Sequence, residues 1–443
     1  MKLTGGVLAG PTGTDDIVIR GARVLDPVEG VDGLLDVRID GGRIARIGDD
    51  LDVNGHRVVD GTGMLLVPAF LDPHVHLRTP GREDEETIAS GTAAAAAGGY
   101  CAILAIPNTD PVVDDADVLR GLRERAEEEA AIPVGFMAAI TRRQEGGELT
   151  EMGELADAGA VAFTDDGRPV VAAGVMRRAL EYSTITRRQV AVHCEEPTLT
   201  RGGHAHAGLV AAELGLGPWP SLGESLMVAR DVALAREAAR PIHLMHLAAR
   251  ESVEQLLAAQ AAGAQATAEV TPHHLCLTDE ALRTLDPNVK MNPPLRAEDD
   301  RLALLAALRD GSIAAVATDH APHSREEKDV PFEAAPFGVI GLETAFAALF
   351  THLVLPGLLS LETLLERLSA GPAAIFALDR PRIAVGAPAN LTLIDTEATW
   401  QVRPEDFRSR SVNSWLIDAR LRGLVRLTVA AGRVAHEQMA HAL

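Results

Sequence analysis

The sequence predicts an α/β protein: a (β/α)8 TIM-like barrel beside a small β-sandwich-like domain assembled from both chain ends. Three observations carry this expectation. From residue 66 to about 318, eight short apolar runs alternate with helical segments, the pattern of repeated βαβ units. Both chain ends instead alternate apolar and polar residues with a period of two, as half-buried strands do. Histidines and aspartates gather where the eight runs end, and barrel active sites lie at the C-terminal ends of strands. An open doubly wound sheet is the alternative, but no Gly-x-Gly-x-x-Gly follows the first run.

At the N-terminal end, Asp16-Ile-Val-Ile-Arg20, Leu35-Asp-Val-Arg-Ile-Asp40 and Arg43-Ile-Ala-Arg-Ile47 read as strands, with Asp40-Gly41-Gly42 as a hairpin turn. At the other end, Ala389-Asn-Leu-Thr-Leu-Ile-Asp395 and Leu424-Val-Arg-Leu-Thr-Val-Ala430 read the same way, and Ala431-Gly432-Arg433 turns the chain. Neither end can form a core alone, so residues 1–66 and 386–443 are expected to pair beside a barrel domain over 67–385. The barrel strands are expected at 66–72, 100–106, 132–140, 160–164, 189–194, 241–246, 266–271 and 313–318. Helices are expected at 87–97, 115–130, 150–158, 173–184, 224–239, 250–262 and 299–310, then at 341–355 and 361–370.

Composition narrows the function. The 443 residues are 47% hydrophobic, enough for a sizeable core. Net charge is −22, from 41 basic and 63 acidic residues, which argues against a nucleic-acid or anionic-membrane surface. A local arginine can still receive an anionic small molecule. Cys101, Cys194 and Cys276 are odd in number and far apart, as reduced thiols of a cytoplasmic protein are. The opening MKLTGGVLAGPTGTDD is too short and too broken for a signal peptide, and no apolar run is long enough to span a membrane. The lysines are Lys2, Lys290 and Lys328, and no others.

The run Pro68-Ala-Phe-Leu-Asp-Pro-His-Val-His-Leu-Arg78 places His74 and His76 on one face of a strand end, where two imidazoles can meet one metal ion. The other strand ends carry Pro107-Asn108-Thr109, Thr164-Asp165-Asp166-Gly167, His193-Cys194-Glu195, His246, Thr271-Pro-His-His274 and Thr318-Asp319-His320-Ala-Pro-His323. Together they supply a set suited to two ions that share a bridging carboxylate. Asp165 and Asp166 are adjacent, so only one can point inward. His243 has the opposite parity to His246, which makes His246 the better candidate. His204 and His206 repeat the His-x-His spacing, but in a Gly-rich loop that no strand leads into, and read as loop residues.

These segments, with Lys290-Met-Asn-Pro-Pro-Leu-Arg296 and Ala335-Pro-Phe-Gly338, stand in an order that resembles the amidohydrolase superfamily, and within it the bacterial dihydroorotases that use an aspartate bridge. The resemblance implies a zinc enzyme of pyrimidine biosynthesis that reversibly cyclises N-carbamoyl-L-aspartate to dihydroorotate. It implies that His74 and His76 hold one zinc, that His193 and His246 hold a second, and that Asp166 bridges the two. It makes Asp319 a ligand of the first zinc and the general acid/base. Arg78, Asn108 and His323 would grip the substrate carboxylate, with His76 nearby, while Asn292 and the Phe337-Gly338 backbone would meet the ring. Many relatives bridge through a carboxylated lysine on the fourth strand, but no lysine lies between Lys2 and Lys290. His246-Leu-Ala-Ala-Arg250 departs from the more polar run expected there. The resemblance also implies a homodimer and allows a complex with aspartate transcarbamoylase. Segment 323–336, polar and bounded by proline, reads as a lid or an ordinary surface loop. A hydantoinase, dihydropyrimidinase or allantoinase is the rival enzyme reading. A non-catalytic partner of aspartate transcarbamoylase is the rival of another class.

Overall fold

Leu65–Pro68 joins the two ends of the chain, because it pairs antiparallel with Leu391–Gln401 and parallel with Ile17–Asp26. The computed structural model describes residues 7–438. Residues 1–6, where the stretch read as no signal peptide begins, and 439–443 lie outside the described residues. The resulting sheet runs in the order Arg433–Glu437, Arg420–Ala430, Leu391–Gln401, Leu65–Pro68, Ile17–Asp26, Val31–Asp40, Arg43–Gly48, and Arg57–Asp60 also pairs with Ile17–Asp26. Its alternate residues form a core of their own that includes Ile19, Val37, Ile39, Leu66, Leu393 and Leu427. The turns at Gly41-Gly42 and Gly432 abut. A Cβ on Gly42, whose φ is +75°, would lie 2.2 Å from Gly13 O, so only glycine fits that contact.

The rest of the described chain alternates strands and helices. Phe70–Val75, Tyr100–Ala105 and Val134–Phe136 form one parallel set, which Leu8–Ala9 extends in the antiparallel sense. Ala162–Phe163, Gln189–Val192, Ile242–Leu244, Ala266–Val270 and Ala315–Val316 form a second parallel set. Single parallel bridges, Ala138 to Phe163 and Val75 to His320, link the two sets at either end. Side chains cap the first two helices between them: Thr87 and Ser90 form a capping box at the start of Ile88–Ala97, and Asp115 caps Ala116–Glu129.

The structure differs from expectation at several elements. The expected strand 132–140 is reduced to Val134–Phe136: Met137 and Ala138 N–H still bond Ala105 O and Ala162 O, but Ala139 N–H turns to Val113 O and the Asp165 carboxylate accepts the Ile140 and Thr141 amides at 2.8 and 3.1 Å. The expected strand 66–72 divides between the two sheets at Ala69, whose N–H bonds Asn390 O while Phe70 N–H bonds Gly99 O. The helix expected at 341–355 is Ala345–Leu349 followed by a wider turn over Phe350–Val354. Among the described residues, no helix is long and apolar enough to cross a membrane.

Candidate metal centre

Asp72, His74 and His76 lie two residues apart along one strand end, and the first of them locks that end in place. Asp72 is fully buried and accepts Thr318 N–H at 3.2 Å, Thr318 Oγ1–H at 2.5 Å and His74 N–H at 3.1 Å. Burial pushes its carboxyl up to about 7, against the bonds from Thr318. The strand carrying His74 is thereby tied to the chain that carries Asp319.

His74 is also fully buried. Its Nδ1–H donates to Glu269 Oε1 at 2.8 Å, which leaves a lone pair on Nε2. That Nε2 has no hydrogen-bond partner and lies 3.5 Å from both Asp166 Oδ2 and Asp319 Oδ1. His76 repeats the arrangement. Nδ1 meets Asn108 Oδ1 at 2.9 Å, and Nε2 faces Asp319 Oδ1 at 3.1 Å. A ring lone pair and a carboxylate facing each other need a cation or a proton between them.

The second group is built from three strand ends. His193 Nε2–H donates to Glu195 Oε2 at 3.0 Å, so its Nδ1 lone pair faces His246 Nε2 at 3.0 Å and Asp166 Oδ1 at 3.5 Å. His246 Nε2 is 3.2 Å from Asp166 Oδ1. Asp166 thus stands between both groups, while Asp165 turns away to bind the 140–141 backbone. Two sets, His74 with His76 and Asp319, and His74 with Asp166 and His246, bring one donor atom each within 4.8 Å of the others and can hold metal ions.

The electrostatics agree with that donor set. Burial raises the Asp166 carboxyl, but His74, His193 and His246 outweigh it and hold Asp166 well below the usual range. Asp319 is lowered in the same way, chiefly by His74 and His76. Burial lowers the His74 ring, yet Asp166 and Asp319 lift it well above its usual range. His193 rises to about 10, where Asp166 and Glu195 overcome burial. In the protein alone these carboxylates are balanced by protons on imidazoles, which divalent ions at the same points would displace. Three of the residues here, Arg78, His246 and Asp319, hold positive φ at +55°, +32° and +48°. Such left-handed backbone costs on the order of 1–3 kcal/mol per residue and persists where the surroundings enforce it.

The cluster floors a cleft of about 200 Å³. His74 lies beneath it, and the other eleven expected site residues line it. Arg78 Nε donates to Pro322 O at 3.0 Å and sits 3.1 Å from Glu85, with its Nη2 3.4 Å from His323 Nε2. His323 Nε2–H donates to Phe337 O at 2.8 Å. Asn292 Nδ2–H reaches Glu195 at 3.4 Å, and its Oδ1 has no partner. Gly338, at φ +120°, passes so close to Ala321 that a Cβ would lie 2.7 Å from the Ala321 Cβ.

Sequence reasoning assigned no role to Glu269, Glu195 or Asp72. Glu269 joins His74 to His243, whose Nε2 is 2.9 Å away, and these two bonds bring its carboxyl down to about 2 despite full burial. A lone glutamate in the apolar strand Ala266–Val270 was the available signal. His273 is buried beside the cluster with Nε2 unpartnered, whereas His274 ties Thr271 to Pro293 O. The loop reading of His204 and His206 needs one correction: Ala205–His206 forms a two-residue strand with Pro218–Trp219, because the Gly-rich turns on either side bring these segments together.

A family model described as dihydro-orotase-like matches residues 63–252. A dihydroorotase of Geotalea daltonii is 43% identical over 424 residues, covering 96% of this chain and 100% of that protein. The chain belongs to the dihydroorotase family. A dihydroorotase of Shouchella clausii is 45% identical over 403 residues, with 91% and 94% coverage. Solved structures share the α/β fold beyond the family: an L-hydantoinase of Arthrobacter aurescens has a TM-score of 0.86 at 24% identity, covering 97% of this chain and 98% of that one. A dihydropyrimidinase of Brevibacillus agri has a TM-score of 0.83 at 24% identity, with 95% coverage of both chains.

Proposed function

We propose that this dihydroorotase-family chain closes and opens the dihydroorotate ring at a two-zinc centre. The enzyme is a cyclic amide hydrolase that interconverts N-carbamoyl-L-aspartate and dihydroorotate. The observation that carries the metal assignment is the set of ring nitrogens on His74, His76, His193 and His246 turned toward Asp166 and Asp319 with their opposite nitrogens engaged or buried. His74, His76 and Asp319 would hold one zinc, His193 and His246 the other, and Asp166 would bridge them. Lys290 and Lys328 are engaged with loop carbonyls, which supports aspartate as the bridge.

Bound there, the ions would acidify a water and polarise the ring carbonyl. Asp319 accepts the proton of the attacking water and delivers it to the leaving ring nitrogen, and in the synthetic direction it deprotonates the carbamoyl nitrogen. Arg78 draws the substrate carboxylate into an otherwise acidic molecule, with Asn108 and His323 beside it. His76 holds Asn108 in place. Asn292, Phe337 and Gly338 form the wall against the ring.

The two parallel strand sets, bridged at Ala138–Phe163 and Val75–His320, support closure into a (β/α)8 barrel over 67–385. The sheet shared by both ends supports a separate domain of 1–66 and 386–443. Three free cysteines, two of them buried, are consistent with the cytoplasm. A homodimer, and a complex with aspartate transcarbamoylase, extend the proposal from the family resemblance. Dihydroorotate hydrolysis at alkaline pH, measured for the unaltered protein and for Asp319→Ala with zinc content on the same samples, tests the core of it. Activity with about two zincs per chain is expected, and the variant loses roughly 10²- to 10⁴-fold. A zinc-loaded protein that opens hydantoin but ignores dihydroorotate would move the activity to the hydantoinases. Absence of both zinc and turnover would favour a non-catalytic partner.

A further inference from the structure

Two of the chain's three lysines are buried, and the partners of both ammonium groups are backbone carbonyls. Lys290 is 1% exposed. All three of its N–H bonds are used, on Phe332 O at 2.8 Å, Glu333 O at 2.9 Å and Ala335 O at 2.7 Å. Lys328 donates to Pro287 O at 3.0 Å and Pro336 O at 2.9 Å. Burial pushes the Lys290 and Lys328 amines down to about 8 and about 7, while the converging carbonyls, which repel each other unless a cation sits at the focus, favour the ammonium form, so the bonds are complete below neutral pH. Within the same segment, Ala334 and Ala335 N–H bond Pro331 O, a local turn that ties it to nothing else. The two ammonium groups, together with Phe332 in the apolar cluster of Val289 and Met291, stitch segment 331–336, the end of the 323–336 run read from sequence as a lid or a surface loop, to the turn Pro287–Val289 and the residues just after it.

The other side of this stitch is the wall of the cleft. Gly338 N–H donates to Lys290 O at 2.8 Å. The Phe337 ring centroid lies 4.6 Å from Lys290 Nζ, within cation–π range. Asn292, two residues beyond Lys290, presents its unpartnered Oδ1 in the same wall. One buried ammonium thus sets Asn292 from one chain segment and Phe337-Gly338 from another.

We propose that Lys290, backed by Lys328, is a positioning residue that locks segment 331–338 against 287–292 and so sets how tightly the substrate ring is held, without entering the chemical step. This rests on the dihydroorotase reading of the cleft. The test pairs steady-state kinetics of dihydroorotate hydrolysis, run near pH 6.5 where both amines hold their protons, with zinc content and hydrogen exchange, on the full chain carrying Lys290→Met or Lys328→Met. Methionine keeps the apolar stem and removes the charge. For Lys290→Met the expected result is a KM raised about tenfold, the scale of leaving a buried carbonyl unpaired, with kcat and zinc content little changed. Lys328→Met has two donors to lose in place of three, and is expected to give the same split at about threefold, with faster exchange at the amides of 332–335, 337 and 338. Unchanged KM with unchanged exchange overturns the proposal, as does a fall in kcat that tracks loss of zinc. If Lys290→Met does not fold, Lys328→Met decides alone. If the unaltered protein does not turn over dihydroorotate, the activity reading fails, and exchange in Lys328→Met still decides the lock.

Discussion

Two His-x-His pairs in this chain have the same spacing and opposite surroundings. His74 and His76 follow a buried strand and face Asp166 and Asp319, with Nε2 to Asp319 distances of 3.5 and 3.1 Å. His206 instead lies 3.4 Å from the Arg296 guanidinium, and His204 has a buried Nδ1 without a partner. Burial and nearby cations, Lys290 for one and Arg296 for the other, push both of these rings down, whereas carboxylates lift His74 well above its usual range. Among the described residues, neither His204 nor His206 joins a group of donors able to hold a metal. Spacing is a local property of the chain. A metal site also needs buried negative charge, which arrives from strands distant in sequence.

The largest break in this contrast is expected from Asp166→Ala, which removes the carboxylate between the two histidine groups. Zinc measured by atomic emission should fall below one ion per chain and dihydroorotate hydrolysis should be lost, while His204→Ala leaves both measurements as they were. Retained zinc in Asp166→Ala would show that the histidines hold the ions without it. Glu269→Gln is next. It keeps the shape but weakens the bond that fixes the His74 tautomer, and such outer partners are worth roughly 10–100-fold in metal affinity. Competition with a chelator measures that shift, and an unchanged affinity would limit Glu269 to packing. The double variant His204→Ala/His206→Ala should change neither zinc content nor kcat/KM; a lost ion there would erase the contrast between the two pairs.

The smallest effect concerns a histidine outside the metal centre, beside a cavity that Glu343, Glu405 and Asp406 also line. Burial, reinforced by Arg408, pushes His436 down to about 4. Between that value and the ordinary pKa of about 6.5, the unfolded chain binds more protons at this position than the folded one, so stability falls as pH drops through the window. His436→Gln should flatten the decline in melting temperature between pH 6.5 and 4 without touching zinc content. An identical slope in the variant would mean that His436 carries no part of the acid sensitivity.

Much of the architecture was legible because its signals are short-range. Alternation over 35–47 and 424–430 marks strands, and Gly41-Gly42 and Gly432 mark their turns. The eight apolar runs each contain a strand, but the strands are shorter than the runs, and a few residues beyond two of the strands a side chain takes a backbone amide, Asp165 at Ile140 and Asp72 at Thr318. The passage from one sheet to the other at Ala69 leaves no mark in an unbroken apolar run. In the site, residue types at strand ends pointed to His74, His76, His193, His246, Asp166 and Asp319, and the structure brings these side chains together. Glu269 was not singled out, since its partners stand 195 and 26 residues away.

The sequence by itself determined the α/β class, the strand-end histidines and the absence of a lysine where a bridging one would stand, because periodicity and residue type are written locally. Only the tertiary structure decided which aspartate of the 165–166 pair turns inward and which ring nitrogen of each histidine stays bare. It also decided that two lysines serve loop carbonyls. Each of these depends on hydrogen-bond partners brought close by folding, and no spacing along the chain specifies such a partner.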